Sequence, residues 1–156
     1  MGASSPIYLN VPLSEVRAAV RDRVLGAAAH EAVVWSREGS ELVVYPHSLG
    51  LRATGGFLVA ELQIEAAETG PCVARIVFFL GTAAAGAGLA AAVSHDAATP
   101  ALLVDAWGEA LRLAVWEGLL DVVEGVAVVA SQAAGVPLRV LGFTGGEDGV
   151  RIAVGA

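Results

Sequence analysis

The sequence predicts an α+β fold: an antiparallel sheet, built from a meander of about four strands plus an N-terminal strand and a C-terminal hairpin, with two main helices on one face. Three observations carry that prediction. Short runs of alternating apolar and polar residues, separated by turn residues, recur between His30 and Leu80. A long uninterrupted helical pattern follows, Thr99–Ala134, and two further extended runs close the chain.

In chain order, Met1–Ser5 reads as a loose tail. Ile7, Leu9 and Val11 alternate with Tyr8 and Asn10, the pattern of a half-buried strand ended by Pro12. Ser14 is placed to cap a first helix running to about Ala29. Val16, Val20 and Val24 recur there every four residues, and Arg17, Arg21, Asp22 and Arg23 take the other side. Ala32–Ser36 and Glu41–Tyr45 flank the turn Arg37-Glu38-Gly39-Ser40. Leu49, Leu51 and Ala53 alternate up to Thr54-Gly55-Gly56.

Phe57–Glu65 is the clearest strand, with Leu58, Ala60, Leu62 and Ile64 opposite Glu61, Gln63 and Glu65. Cys72–Leu80 is apolar on both faces toward its end and therefore expected to be central. Gly81–Pro100 is rich in alanine and glycine, which suits a connection or a short helix around Leu89–Val93. Pro137–Phe143 and Val150–Val154 form the final hairpin.

Within the long helical pattern, Thr99 is read as the cap and Pro100 as the first helical residue, with Gly135 and Pro137 as the stop. Charges at Asp105, Glu109 and Arg112 make one polar stripe; Glu117, Asp121 and Glu124 make another, rotated by roughly 120°, with Gly118 at the switch. A helix of this span is roughly 52 Å long, whereas a compact chain of this size is about 40 Å across. Either it bends near Gly118 or one end projects, and a bend together with a subunit contact is the expectation. Val126–Ala130 has no polar face, so burial on all sides is expected, in part by another subunit.

The 156 residues suit a single domain, 1–156, able to bury a core without disulfides or metals. Hydrophobic residues make up 56% and charged ones 16%, more apolar than an ordinary surface requires, so a cavity wall, an oligomer interface or a membrane contact is expected. All nine basic residues are arginine, a high-Arg, no-Lys composition of bacterial type. Without lysine there is no Schiff base and no GxxxxGK[ST] phosphate loop. A net charge of −7 with scattered arginines argues against nucleic-acid binding. Cys72 stands alone, which excludes an internal disulfide and a cysteine zinc site. With no signal-like N-terminal run, a cytoplasmic location is expected.

Candidate chemistry is sparse. Gly86-Ala87-Gly88-Leu89-Ala90-Ala91 matches a dinucleotide fingerprint, but a strand leading into the first glycine and an acid at the right distance are missing. No cofactor is expected. Ile76–Ser94 is a run of 19 uncharged residues, yet its first half continues a hairpin strand, so a membrane span is disfavoured. His30, His47 and His95 lie in different elements without metal-ligand spacing, and no catalytic or metal set is assigned.

Glu61 and Glu65 are about 13 Å apart along a strand, too far for a dyad. They suit a solvated face, with Arg75 on the neighbouring strand as partner; in the alternative register Arg75 points inward as an anion anchor. Ligand-pocket candidates are Tyr45, His47, Arg75 and Trp107. Interface candidates are Trp116, which continues the first polar stripe, together with Val126 and Val129.

The opening Ile7-Tyr8-Leu9-Asn10-Val11-Pro12, followed by Glu15-Val16 on a helix, resembles the start of helix-grip, START-like ligand-binding domains. That resemblance covers about ten residues; the chain departs from it in having no second short helix and in placing a hairpin after the long helix. It implies a cavity between sheet and helix. The expected function is a non-catalytic, oligomerising domain that builds a protein assembly or holds an apolar small molecule between sheet and long helix. The alternative is a small cyclase- or isomerase-like enzyme using His47.

Overall fold

The computed structural model describes residues 5–25, 32–54, 56–80, 92–95, 99–146 and 149–156. Their order is β1 (Ile7–Pro12), α1 (Leu13–Leu25), β2 (Val33–Arg37), β3 (Ser40–Thr54), β4 (Phe57–Ala66), β5 (Gly70–Phe79), β6 (Ala92–His95), α2 (Ala101–Ala134), β7 (Arg139–Gly146) and β8 (Gly149–Gly155). The fold is α+β and every strand pairing is antiparallel. The strands divide into two sheets, β2-β3-β4-β5-β6 and β1-β8-β7. The expected meander is β2 to β5, and β6 extends it within a region whose alanines and glycines hid any period. The dinucleotide-like Gly86–Ala91 and residues 1–4 of the tail Met1–Ser5 lie outside the described residues, as does His30.

Alternation sets the inner face of the larger sheet. Leu42 and Val44 of β3, Leu58, Leu62 and Ile64 of β4, and Ile76 and Phe78 of β5 are buried, while Glu65, Val73 and Phe79 face out. The expected strands around Glu41–Tyr45 and Leu49–Ala53 are one strand, β3, interrupted by a bulge where the register shifts between Tyr45 and Gly50. Arg17 of α1 closes that irregularity: its side chain donates to the carbonyls of Leu49 and, at 3.0 Å, His47. Ser48 Oγ fills the rest, accepting from the Gln63 amide at 2.8 Å and donating to the Tyr45 carbonyl. The two sheets touch at one corner, where the Gly56 amide donates to the Gly145 carbonyl at 3.3 Å. A Cβ on Gly145 would lie 2.3 Å from the Phe57 carbonyl oxygen, so only glycine allows this approach.

α2 runs unbroken for 34 residues, about 51 Å at 1.5 Å per residue. Gly118 marks a crossing: a Cβ there would stand 2.8 Å from Val20 Cα of α1. The buried residues Leu103, Trp107, Leu111, Val115, Leu119, Val123 and Ala127 repeat every four positions. Each step of four advances about 40° around the helix, so this row winds through about 240° from end to end. The exposed row Asp105, Glu109, Leu113, Glu117, Asp121 winds in parallel. Asp105 and Glu109 of the first polar stripe and Glu117 and Asp121 of the second share this row, with an apolar residue, Leu113, between them, while Arg112 and Glu124 lie beside it.

The expected cap is not one. Pro100 occupies the cap position without a side-chain cap bond. Thr99 Oγ1 instead accepts from the Arg75 amide at 3.0 Å and donates to the Arg75 carbonyl at 3.3 Å. It stands in for a strand rung one residue beyond the Ile76–His95 pair, where β6 pairing ends. Ser14 likewise falls inside the first turn of α1 rather than ahead of it. At the far end Gly135 adopts the left-handed conformation (φ 70°), its amide donating to the Ser131 carbonyl at 2.9 Å.

Gly118→Ala places its methyl against the Val20 backbone. It is expected to destabilise the protein by about 1 kcal/mol or more in urea unfolding, despite the better helix propensity of alanine. A gain in stability would show that the helices separate freely there.

Candidate functional site

Val126–Ala130, expected to be buried on every side, is only partly covered. Ala127 is buried and Val126 half-buried, but Val128 is 56% and Val129 64% exposed. One side of this stretch packs on the core through Val126, Ala127 and Ala130, and the other side is open. Beside it a groove of about 570 Å³ runs between β1 and the C-terminal half of α2. One wall is Leu9, Asn10 and Val11, with Glu15 from α1; the other is Asp121, Val122, Gly125, Val126, Val129, Ala130 and Ala133. Leu9 and Val11 reach it because they take the same side of β1, at the edge of the smaller sheet. Two of the three interface candidates, Val126 and Val129, therefore line one groove.

Trp116 does not join them. Its indole stacks on Phe78 of β5 (centroids 5.9 Å apart, planes at 16°) and tilts against Phe143 of β7 at 5.7 Å. It continues the Asp105–Glu109–Arg112 stripe but leans inward, half-buried, and bridges the two sheets.

The four pocket candidates are not brought together. Arg75 is on the outer face of the larger sheet, opposite Glu61 in register, with its Nε 2.8 Å from Glu61 Oε1. Arg52 Nη2 reaches the same oxygen at 3.0 Å, so the carboxylate is shared by two guanidinium groups. This is the outward register of the two left open by the sequence. Tyr45 lies on that face too, its hydroxyl donating to Glu65 at 3.2 Å; partial burial, then the Glu65 carboxylate, raises the phenol above its usual pKa. His47 is exposed at the bulge. Trp107 is on the inner side, 3% exposed, and its Nε1 has no hydrogen-bond partner among the described residues.

A second, polar recess of about 260 Å³ lies where Trp107, Ala106 and Asp105 meet Arg37, Glu38 and Ser40 of the β2–β3 turn. Ser40 Oγ donates to Glu68 at 2.8 Å, which lowers the Glu68 pKa from the ordinary carboxylate value. Among the described residues no three His, Cys, Asp or Glu side chains are placed to hold a metal ion, and no helix is long and apolar enough to cross a membrane. Comparison with protein-family models, with curated proteins and with solved structures finds no match to this chain.

Of the groove residues only Val126 and Val129 were singled out from the sequence; the β1 wall, Glu15 and the rest of the α2 wall, Val122 and Ala133 among them, were missed. Their signal was present: Val122, Val126, Val129 and Ala133 follow at spacings of four, three and four. The expectation of all-round burial masked it, because a wholly apolar segment shows no stripe.

Trp116→Ala removes the bridge between Phe78 and Phe143 and is expected to cost about 2–4 kcal/mol in chemical unfolding. A change under about 0.5 kcal/mol would show that the indole is a surface group. Glu61→Gln, by contrast, breaks half-buried ion pairs on the outer face and keeps a hydrogen-bonding side chain there, and is expected to cost about 1 kcal/mol.

Proposed function

We propose that this chain is a non-catalytic domain that assembles with itself, the α2 end and its groove forming the contact. The observation that carries this is the exposure of Val128 and Val129 beside an apolar groove, in a stretch with no charged residue between Glu124 and Arg139. Contiguous exposed apolar surface at one place, rimmed by polar groups, is the mark of an interaction surface rather than of ordinary exposed side chains. It also accounts for a composition more apolar than one domain of this size requires.

The small-molecule reading draws less support, since the groove opens between β1 and α2 and not between the larger sheet and the long helix. The enzyme reading needed His47 in a cleft, and its side chain is exposed.

Light scattering after size exclusion is expected to give a mass that is a defined multiple of the 15.8 kDa chain. Val129→Asp is expected to shift that mass to the monomer without altering circular dichroism, because the side chain is largely exposed within one chain. A monomeric wild type at micromolar concentration removes the proposal. Trp116 is unsuited to this experiment, because its indole is part of the core.

A further inference from the structure

The polar recess between the β2–β3 turn and the first half of α2 is walled by groups that the chain itself leaves unmatched. Trp107 lines it, is 3% exposed, and has an Nε1 without a hydrogen-bond partner among the described residues. A buried N–H with no acceptor has given up its hydration for nothing in return, so such donors are rare and call for a cause. Around the rim stand Arg37, Glu38 and Asp105, all exposed, and among the described residues none of the three makes an ion pair. Two segments far apart in sequence bring these side chains together. The two-residue turn Glu38-Gly39, with φ of 49° and 83°, sets Arg37 opposite Ser40, and α2 carries Asp105 and Trp107 to the same place. Ser40 Oγ donates its proton to Glu68 at 2.8 Å, so toward the recess it has only lone pairs to offer.

We infer that this recess binds a small cationic amino acid, of the size and charge of free lysine. Its carboxylate would lie on the Arg37 guanidinium and the Trp107 indole N–H, and its two ammonium groups on Asp105 and Glu38, with Ser40 Oγ as a further acceptor. The inventory matches group for group: one carboxylate and two ammonium groups meet one guanidinium and two carboxylates, and the donors of each side face acceptors of the other. An acidic amino acid would set a second carboxylate against Asp105 or Glu38. A simple amine would leave Arg37 and the indole N–H unmatched. Size agrees: about 260 Å³ is the share of about nine waters at ~30 Å³ each, room for a molecule of about ten non-hydrogen atoms. The site is independent of self-assembly, because the apolar groove is formed by residues 121–133 of the same helix.

The test follows the indole N–H signals of the ¹⁵N-labelled full chain, one for each of its three tryptophans. Trp107→Phe identifies the signal of Trp107 by its loss. Titration with free L-lysine is expected to move that signal saturably and to leave those of Trp35 and Trp116 little changed. In calorimetry, Arg37→Gln and Asp105→Asn are each expected to weaken lysine binding about 10-fold at an unchanged urea midpoint, since both side chains are exposed. L-Glutamate is expected to bind at least 10-fold more weakly than L-lysine. A Trp107 signal that stays in place up to about 10 mM lysine overturns the inference. A shift that L-glutamate or sodium chloride reproduces overturns it too, by making the recess an unspecific charged surface. Lysine binding unchanged in both Arg37→Gln and Asp105→Asn puts the ligand elsewhere, with the same consequence.

Discussion

The structure depends on how one helix of 34 residues is buried. A stripe repeating every 3.6 residues would face a single surface, but the buried row of α2 repeats every four and so winds around the axis. No flat partner can cover such a row. Near its middle the row meets three partners at once: the larger sheet through Phe78 and β7 through Phe143, both at Trp116, and α1 at Gly118.

Trp116 sits where these partners meet. Its ring is in contact with Phe78 and Phe143, residues from the two sheets, which otherwise touch at the Gly56–Gly145 hydrogen bond. The neighbouring Gly118 admits α1, and α1 in turn holds the β3 bulge through Arg17. The bulge and the long helix are therefore coupled through one short helix. Arginine suits that role because one planar group can donate to two carbonyls at once.

Much of this was legible in the sequence. β4 and β5 emerged within one or two residues because their alternation is strict, and their pairing follows from the Glu68-Thr69-Gly70 turn. Three things were not. Which way Arg75 faces is fixed by register, and the sequence alone left two registers open until Glu61 was found opposite it. Thr99 had the chemistry of a cap but found a nearer need at the open edge of β5. The charges on α2 looked like two stripes because Leu113 interrupts the row, hiding the winding from any count of charged positions. The pocket candidates scattered for a related reason: residue type marks chemical potential, and only register and strand face decide which side chains meet.

The far end of α2 is covered on one side only: Val126, Ala127 and Ala130 pack on the core, and Val128 and Val129 meet solvent. Physical chemistry would then favour lysine or glutamate at Val128 and Val129, as on any exposed helix. Valine has both a lower helix propensity and unfavourable exposed area, so the single chain gains nothing from either choice. The end of α2 is therefore exposed in the single chain although it is composed as though buried.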